Sequence, residues 1–247
     1  MMLLADIGNT RIKWAESRDN QLGGYGAAVH AGTSLDEVLT AAWSPLERPT
    51  RIVAVNVAGN AAAAALAHFC TRHFSLAPDF LLSSARCGVV VNGYHDPSQL
   101  GADRWAAVIG AFLRYGGPVC VVACGTAITV DAVNREGRHL GGLIAPGIAT
   151  MRKALAGATA AIPDAAGEVA ALLGLNTRTA VACGVTQAAA GLIERTVRRI
   201  TAELGTGMQV LLTGGDAEYL QSQLTERYTL APHLVLEGVL VMAEQRT

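Results

Sequence analysis

A short segment near the start of the chain combines residue types that can bind nucleotide phosphates. Asp6 ends an apolar run, Gly8-Asn9 forms a turn, and Thr10 and Lys13 follow it. A carboxylate at a strand end can hold Mg²⁺ directly or through water. A glycine turn lets backbone N–H groups approach phosphate oxygens, and Thr10 and Lys13 add a hydroxyl donor and a mobile cation. An ordinary hairpin in which Asp6 caps the turn explains the segment equally well.

Two later turns have a related composition. Gly125-Thr126 lies between two apolar runs and Asp131 follows it, so the same residue types recur with the carboxylate after the turn. Gly214-Gly215 ends a further apolar run, and two glycines allow a flat ring to approach the backbone. Each is also compatible with a plain tight turn. Three such turns, two of them opening the two halves of the chain, favour the actin-like pattern of two phosphate loops and a glycine pair that holds adenosine.

Two other nucleotide-binding patterns are missing from the sequence. No GxxxxGK[ST] motif occurs in the chain, and no GxGxxG opens a helix after the first apolar run. The sequence therefore disfavours a P-loop and a dinucleotide-binding domain.

Asp103 and Arg104 form a fourth candidate, at the start of a predicted helix over residues 101–115. The helix dipole favours the ionised form of Asp103, which can then accept the proton of an attacking hydroxyl. In phosphoryl transfer, positioning and charge neutralisation outweigh the base. The planar guanidinium of Arg104 suits a substrate carboxylate. An Asp-Arg pair that only caps and decorates a helix is the alternative, and from these residues alone it is favoured.

The elements that must position these residues alternate between strands and helices. Apolar and β-branched runs predict strands over residues 2–7, 11–15, 51–57, 80–82, 119–123, 127–133 and 209–212. Helical spacing predicts helices over residues 33–43, 60–74, 101–115, 147–155, 179–204 and 234–244. This alternation indicates an α/β fold, and Gly116-Gly117-Pro118 marks the predicted boundary between two domains. Two strand–turn–strand units about 117 residues apart suggest a duplicated architecture.

Composition excludes several functional classes. The 247 residues are 51% hydrophobic, and 19 Lys and Arg balance 20 Asp and Glu, so no broad basic face for nucleic acid is expected. No apolar run reaches 18 residues, and no basic segment precedes Asp6, so neither a membrane span nor a signal peptide is expected. Five scattered cysteines without a CxxC indicate buried, reduced thiols. We therefore expect a cytoplasmic protein.

The whole chain resembles the type III pantothenate kinases. The resemblance rests on the three turns above, on Gly93-Tyr94 and Leu100-Gly101-Ala102-Asp103-Arg104, and on Gly141-Gly142 with Pro146-Gly147. It implies two related actin-like (ribonuclease H-like) domains, residues 1–116 and 117–247, with an ATP cleft between them. It also implies phosphorylation of pantothenate to 4′-phosphopantothenate by ATP, the first step of coenzyme A synthesis.

The resemblance assigns roles to individual residues. Asp103 would be the catalytic base. The pantothenate pocket would be lined by Tyr94, Gly101, Ala102, Asp103 and Arg104, with Thr177 reaching substrate across a homodimer interface. ATP would be bound by Asp6, Ile7, Gly8, Asn9, Thr10, Arg11, Ile12, Lys13, Thr126, Gly214 and Gly215. Asp6 would hold Mg²⁺, directly or through water, and Asp131 is a weaker metal candidate. Thr177 is equally compatible with a plain helix cap, for which Thr179 is a rival.

One position departs from the family. Its members usually have an acidic residue two positions before the second Gly-Thr, where it binds an activating K⁺ or NH₄⁺, and this chain has Ala123 there. Asp131 or backbone carbonyls are possible substitutes, but a strong monovalent-cation site is not expected. Two alternatives stay open: a sugar or acetate kinase of the same fold, and a nucleotide-binding regulatory protein that has lost turnover.

Overall fold

The computed structural model describes residues 1–162, 164 and 172–245 of the chain. The residues form two compact units. The first unit comprises Met1–Arg114, Gly137–His139 and His233–Thr247, and the second comprises Tyr115–Glu136 and Leu140–Pro232. These units depart from a single division after residue 116, because the C-terminal helix and a three-residue segment group with the first unit. The division into domains 1–116 and 117–247 stays a prediction.

Strands and helices alternate along the described residues. The strands are β1 (Met2–Ile7), β2 (Arg11–Arg18), β3 (Gln21–Val29), β4 (Arg51–Asn56), β5 (Asp79–Phe80), β6 (Arg86–Cys87), β7 (Val90–Val91), β8 (Val119–Cys124), β9 (Ala127–Val133), β10 (His139–Pro146), β11 (Gln209–Thr213) and β12 (Thr229–Leu230). The helices are α1 (Leu35–Trp43), α2 (Asn60–Phe74), α3 (Ala102–Tyr115), α4 (Ile148–Ala158), α5 (Thr177–Leu204), α6 (Ala217–Gln223) and α7 (Leu234–Glu244), with a 3₁₀ turn at Pro97–Gln99.

The first unit is built on a five-stranded sheet of order β3-β2-β1-β4-β5. β1 is antiparallel to β2 and parallel to β4. Alternate residues of β1, beginning at Leu3, face α1 and α2, and the buried cluster there includes Trp43 and Phe69. Burying each large apolar side chain contributes about 1.5–3 kcal/mol, so this face anchors β1 and the turn that follows it.

Two glycines explain why the C-terminal helix belongs to the first unit. A Cβ on Gly238 of α7 would lie 1.8 Å from the carbonyl oxygen of Ala106 in α3, and a Cβ on Gly110 would lie 2.7 Å from the carbonyl oxygen of Leu234. The backbones of α3 and α7 therefore touch, because neither glycine carries a side chain. Close contact between helices so far apart in the chain has no local sequence signal.

The second unit repeats the strand order of the first. Its sheet has the order β10-β9-β8-β11-β12, in which β8 is antiparallel to β9 and parallel to β11. One face of β8, including Cys120 and Val122, packs against Ala189 and Ile193 of α5. The α/β fold class and the duplicated architecture are therefore confirmed.

The long edge strand of each sheet, β3 or β10, was not predicted from the sequence. β3 and β10 each contain a Gly-Gly pair. Glycine weakens a strand because it loses more backbone entropy on folding and has no side chain to pack. Both lie at a sheet edge, where such segments are tolerated. The short strands β6, β7 and β12 and the helix α6 were also missed. None of the helices within the described residues has the length and apolar character needed to cross a membrane.

Candidate active site

The turn between β1 and β2 carries the first group of candidate residues. Asp6 lies opposite Lys13 across the antiparallel pair. The segment after β3 holds the turn: the imidazole of His30 lies 2.7 Å from the carbonyl oxygen of Gly8, and its backbone N–H donates to the carbonyl of Thr10 over 3.0 Å. His30 is a residue of this turn that sequence reasoning missed, since nothing local links it to Gly8.

The side chains around this turn divide into two groups. Those of Ile7 and Ile12 are fully buried in the core, so only their backbone groups can contact a nucleotide. Asn9 and Arg11 are exposed at the turn, where their side chains can reach a ligand. The predicted ATP-binding segment is therefore a hairpin anchored by apolar residues on either side of a polar tip.

The carboxyl group of Asp6 has unusual electrostatics. Its pKa is raised to about 7, chiefly by burial and in smaller part by the negative charge of Asp103, while Lys13 acts in the opposite direction. Since the effect of Asp103 requires proximity, the folded first unit brings together two acidic residues that lie 97 positions apart in the sequence. A cation near Asp6 would favour its ionised form.

Asp103 is placed by the glycine two residues before it. A Cβ on Gly101 would lie 2.7 Å from Oδ1 of Asp103, so the missing side chain leaves room for the carboxylate. The same oxygen accepts the backbone N–H of Arg104 over 2.8 Å. The carboxylate therefore lies at the N-terminus of α3, where the helix dipole favours its ionised form.

Arg104 and Tyr94 lie together beside this carboxylate. The guanidinium is largely buried, Nη1 donates to the hydroxyl oxygen of Tyr94 over 2.9 Å, and Cζ lies 5.7 Å from the centre of the tyrosine ring. The ring of Tyr94 also stacks on the imidazole of His139, with ring centres 5.8 Å apart and planes inclined by 18°. His139 is fully buried. Sequence reasoning missed it, because 45 residues separate it from Tyr94.

Asn92 organises the loop that carries Tyr94. Its side-chain oxygen accepts the N–H of Tyr94 over 3.0 Å, and its side-chain nitrogen lies 3.2 Å from the carbonyl of Ser84 and 3.4 Å from that of Pro97. Asn92 is buried, so it ties both ends of the loop to one point. Nothing in the local sequence around Asn92 indicates this central role, because its partners Ser84 and Pro97 lie on either side of the loop.

The turn between β8 and β9 is held in a similar way in the second unit. The N–H of Gly125 donates to the carbonyl of Ala127 over 3.0 Å. The carbonyl of Thr126 accepts the N–H of Gly147 over 3.0 Å and the hydroxyl of Thr150 over 2.6 Å. A Cβ on Gly147 would lie 1.9 Å from the carbonyl oxygen of Gly125, so only glycine fits there. The side chain of Thr126 is exposed at the tip.

The glycine pair after β11 lies against the same turn. Gly214 has a φ of +99°, and a Cβ on it would lie 2.1 Å from the carbonyl oxygen of Cys124. Gly214 is therefore required by its conformation and by the close approach. Gly215 is exposed beside it. The structure thus brings Thr126 and the two glycines into one loop cluster of the second unit.

The remaining two candidates have different surroundings. Thr177 is exposed and is the first residue of α5, whereas the helix is capped by Asn176, whose side chain accepts the N–H of Thr179 over 3.0 Å. The cap is thus neither Thr177 nor Thr179 alone, and Thr179 completes a capping box with Asn176. Asp131 is buried within β9 and lies opposite Val121. Its metal role stays a prediction.

Within the described residues, no group of three His, Cys, Asp or Glu side chains is arranged to hold a metal ion. Mg²⁺ that accompanies a nucleotide needs few protein ligands, because it keeps several waters and binds phosphate oxygens alongside one or two carboxylates. Asp6 fits this requirement, since its buried carboxyl group lies at the predicted phosphate-binding turn and a nearby cation would favour its ionised form.

Solved structures place the fold in a known class. The chain is similar to a Campylobacter jejuni protein assigned to the Baf family of transcriptional activators, with a TM-score of 0.57, 21% identity and coverage of 99% of this chain and 98% of that one. It is also similar to the activator of 2-hydroxyisocaproyl-CoA dehydratase from Clostridium difficile with bound ADPNP, with a TM-score of 0.54, 12% identity and coverage of 99% and 95%. The two repeated sheets define an actin-like fold.

Sequence comparison identifies the family within that class. A sequence model of the type III pantothenate kinases matches residues 2–199. The type III pantothenate kinase of Aromatoleum aromaticum is 43% identical over 246 residues, covering 99% of this chain and 98% of its own. That of Nitrosococcus oceani is 36% identical over 250 residues, covering 99% and 94%. The chain belongs to the type III pantothenate kinase family, which confirms the resemblance stated from its motifs.

Proposed function

We propose that this protein transfers the γ-phosphate of ATP to the hydroxyl of pantothenate, with Asp103 as the catalytic base. The proposal is carried by one observation. Asp103, at the N-terminus of α3, is close enough to Asp6 for its charge to raise the pKa of the Asp6 carboxyl group. The proposed proton acceptor and the predicted phosphate-binding turn therefore belong to one unit and interact electrostatically, which supports in-line transfer from ATP to a hydroxyl at this site.

Most of the candidate residues have a part in this proposal. Asp103 accepts the proton of the attacking hydroxyl while Arg104, with Tyr94 on its guanidinium, binds the carboxylate at the other end of pantothenate. The backbone of residues 6–13 and the side chains of Thr10 and Lys13 bind the ATP phosphates. Thr126 adds a second phosphate contact, and Gly214-Gly215 leave room for adenosine. Mg²⁺ held at Asp6 would neutralise charge on the phosphates.

We also propose that the protein works as a homodimer in which Thr177 reaches substrate bound to the partner. Thr177 is exposed, and the residues just before it include Leu172, Leu173 and Leu175, with 67%, 77% and 99% of their surface exposed. Exposed leucines of this kind favour an interface over a solvated surface. We place the enzyme in the cytoplasm, where its phosphoryl donor ATP is available.

We propose that turnover does not require K⁺ or NH₄⁺. Ala123 offers no carboxylate, and its neighbours across the sheet are Thr129 on β9 and Thr213 on β11. Hydroxyl oxygens are weaker ligands than a carboxylate for a monovalent cation, because they carry no charge. Turnover should therefore be equal in K⁺ and in Na⁺ buffers.

The deciding experiment measures ADP release from Mg²⁺-ATP by the purified protein, with and without pantothenate, in K⁺ and in Na⁺ buffers, beside Asp103→Asn. We expect pantothenate-dependent turnover, with kcat lower by about 10²–10⁴-fold in Asp103→Asn, the range for loss of a general base. ATP binding without turnover in either buffer would refute the proposal and favour a regulatory protein. Turnover with glucose or acetate instead of pantothenate would indicate another kinase of this fold.

A further inference from the structure

We infer that His139 is a positioning residue of the substrate site, which acts on Arg104 through the ring of Tyr94. The inference rests on the proposed function, because it concerns the binding of the pantothenate carboxylate. It assigns a part in the reaction to a residue that lies 35 positions after Arg104 and for which no motif of the chain provides a role.

The geometry of the three side chains carries the inference. The imidazole of His139 and the ring of Tyr94 are stacked, with centres 5.8 Å apart and planes inclined by 18°. The hydroxyl of Tyr94 accepts a hydrogen bond from Nη1 of Arg104 over 2.9 Å. A displacement of the tyrosine ring therefore displaces a hydrogen-bond acceptor of the guanidinium.

The support for each ring differs. Tyr94 is only partly buried, and its loop is fixed at the backbone by Asn92. That bond fixes the start of the side chain but leaves the ring free to turn about its χ angles. His139 is fully buried, so it presents a fixed face against which the ring of Tyr94 packs.

His139 is itself held by its backbone neighbours. The carbonyl of Gly137 accepts the N–H of Val91 over 2.9 Å, and the backbone of Arg138 forms an isolated parallel β-bridge with Val91. A Cβ on Gly137 would lie 2.8 Å from the carbonyl oxygen of Val89, so this segment is pressed against the strand β7 region. The three residues 137–139 therefore belong to the first unit and pack against the segment that leads into the loop of Tyr94.

The chemistry of such support makes a specific prediction about kinetics. An arginine that binds a carboxylate must present its two nitrogens in the correct plane, and a misplacement of 1 Å elsewhere in an active site can cost about 10²-fold. Loss of the stack should therefore weaken pantothenate binding and leave the binding of ATP unchanged. An aromatic ring without nitrogen atoms at position 139 should preserve pantothenate binding, because the stack uses the face of the ring.

The test is a double-mutant cycle on the full chain. The variants are His139→Ala, Tyr94→Ala, the double variant, and His139→Phe as a conservative replacement. For each, KM for pantothenate, KM for ATP and kcat are measured, together with Kd for pantothenate by calorimetry. Leu66→Ala, a fully buried change in another part of the first unit, serves as the control for general destabilisation.

We expect His139→Ala to raise KM and Kd for pantothenate by about tenfold or more, with KM for ATP unchanged, since positioning effects of this kind fall in that range. In the Tyr94→Ala background the same change should have less than about a twofold effect, because the ring that transmits it is gone. His139→Phe should retain binding close to that of the wild type. Leu66→Ala should lower the unfolding temperature without changing the ratio of the two KM values.

Other outcomes would overturn the inference. An unchanged pantothenate Kd in His139→Ala refutes it, as does an equal increase with and without the Tyr94 ring. If the wild type binds pantothenate but does not turn it over, the proposed function falls while the cycle of Kd values still decides the role of His139. If the wild type neither binds nor phosphorylates pantothenate, both fall together.

Discussion

The two units place different chemistry at matching positions of the same sheet. In the first unit, Asp6 lies between Lys13 on β2 and Val55 on β4. In the second unit, Ala123 occupies the equivalent position on β8, between Thr129 on β9 and Thr213 on β11. The position in the first unit therefore has ionisable side chains on two adjacent strands, whereas all three side chains at the matching position of the second unit are uncharged. The duplicated scaffold therefore carries a carboxylate at this position in the first unit and an apolar methyl group in the second.

The turns next to these positions differ less than the side chains do. In the first unit the N–H of His30 donates to the carbonyl of Thr10, and in the second the N–H of Gly147 donates to the carbonyl of Thr126, both over 3.0 Å. Each donor follows the third strand of its sheet. The backbone bond that holds the turn is therefore common to both units, and the units differ in the side chains that the turn presents.

Asp6→Asn should have the largest effect of the changes considered, because it removes the carboxyl group that distinguishes the first unit from the second. The pKa of Asp6 is about 7 in the folded protein and 3.8 in its unperturbed state. A raised pKa means that the group stabilises the fold below pH 4 relative to higher pH, and that this contribution is lost as the pH rises to about 7. The shift corresponds to at most about 4 kcal/mol. Without nucleotide at pH 8, Asp6→Asn should therefore be more stable than the wild type.

Urea unfolding between pH 4 and pH 8 measures this effect. The wild type should lose stability across the range, and Asp6→Asn should show a flatter profile together with weaker binding of Mg²⁺-ATP. Asp19→Asn, at an exposed turn, is the matched control and should leave the slope unchanged. Parallel profiles for Asp6→Asn and the wild type would show that Asp6 is not the group responsible.

Gly214→Ala should have the next largest effect and tests the second unit. The new Cβ would lie 2.1 Å from the carbonyl oxygen of Cys124 at a φ of +99°. We expect a loss of about 2–3 kcal/mol in the free energy of unfolding and a higher KM for ATP. At the equivalent position of the first unit, next to Ile7, the chain has Asn56, so the constraint is specific to the second unit.

Gly207→Ala is the control for this change, since a Cβ there has open space around it. Its effect on the free energy of unfolding should be about 1 kcal/mol or less. If both alanine variants unfold at the same denaturant concentration, the close approach of Gly214 to Cys124 is not a real constraint.

Ala123→Asp should have the smallest effect on rate and would make the second unit resemble the first. A carboxylate between Thr129 and Thr213 would supply the charged ligand that a monovalent cation needs. The ratio of turnover in K⁺ to turnover in Na⁺, expected to be one for the wild type, should then rise above one. Ala123→Asn has the same size without the charge and should leave the ratio at one. An unchanged ratio in Ala123→Asp would show that more than this residue is missing.

Local patterns predicted the centre of each sheet and the family. The residues of β1, β8 and β9 are apolar or β-branched, and the turns after them contain glycine, so both signals agree. The family match then confirmed the enzyme class. The edge strands β3 and β10 were not predicted, because their Gly-Gly pairs have low strand propensity and their strand structure depends on pairing with neighbouring strands.

Contacts over long sequence distances account for the rest of what was missed. Asp6 and Asp103, His30 and Gly8, and His139 and Tyr94 meet only in the folded first unit. Sequence periodicity and motif spacing do not predict such contacts, because they depend on how the intervening chain folds. Asp103 itself was predicted because its motif is local, while the residues that support it were not.

The contact between α3 and α7 has a consequence for the order in which the protein folds during synthesis. α3 carries Asp103 and Arg104 on its first turn, and its backbone rests on α7 at Gly110 and Gly238. Since α7 follows every residue of the second unit in the chain, a nascent first unit lacks this support until the second unit has been synthesised. Tyr115–Glu136 and Leu140–Pro232, which form the second unit, leave the ribosome earlier than α7. The half of the protein that is made first is therefore the half that is finished last.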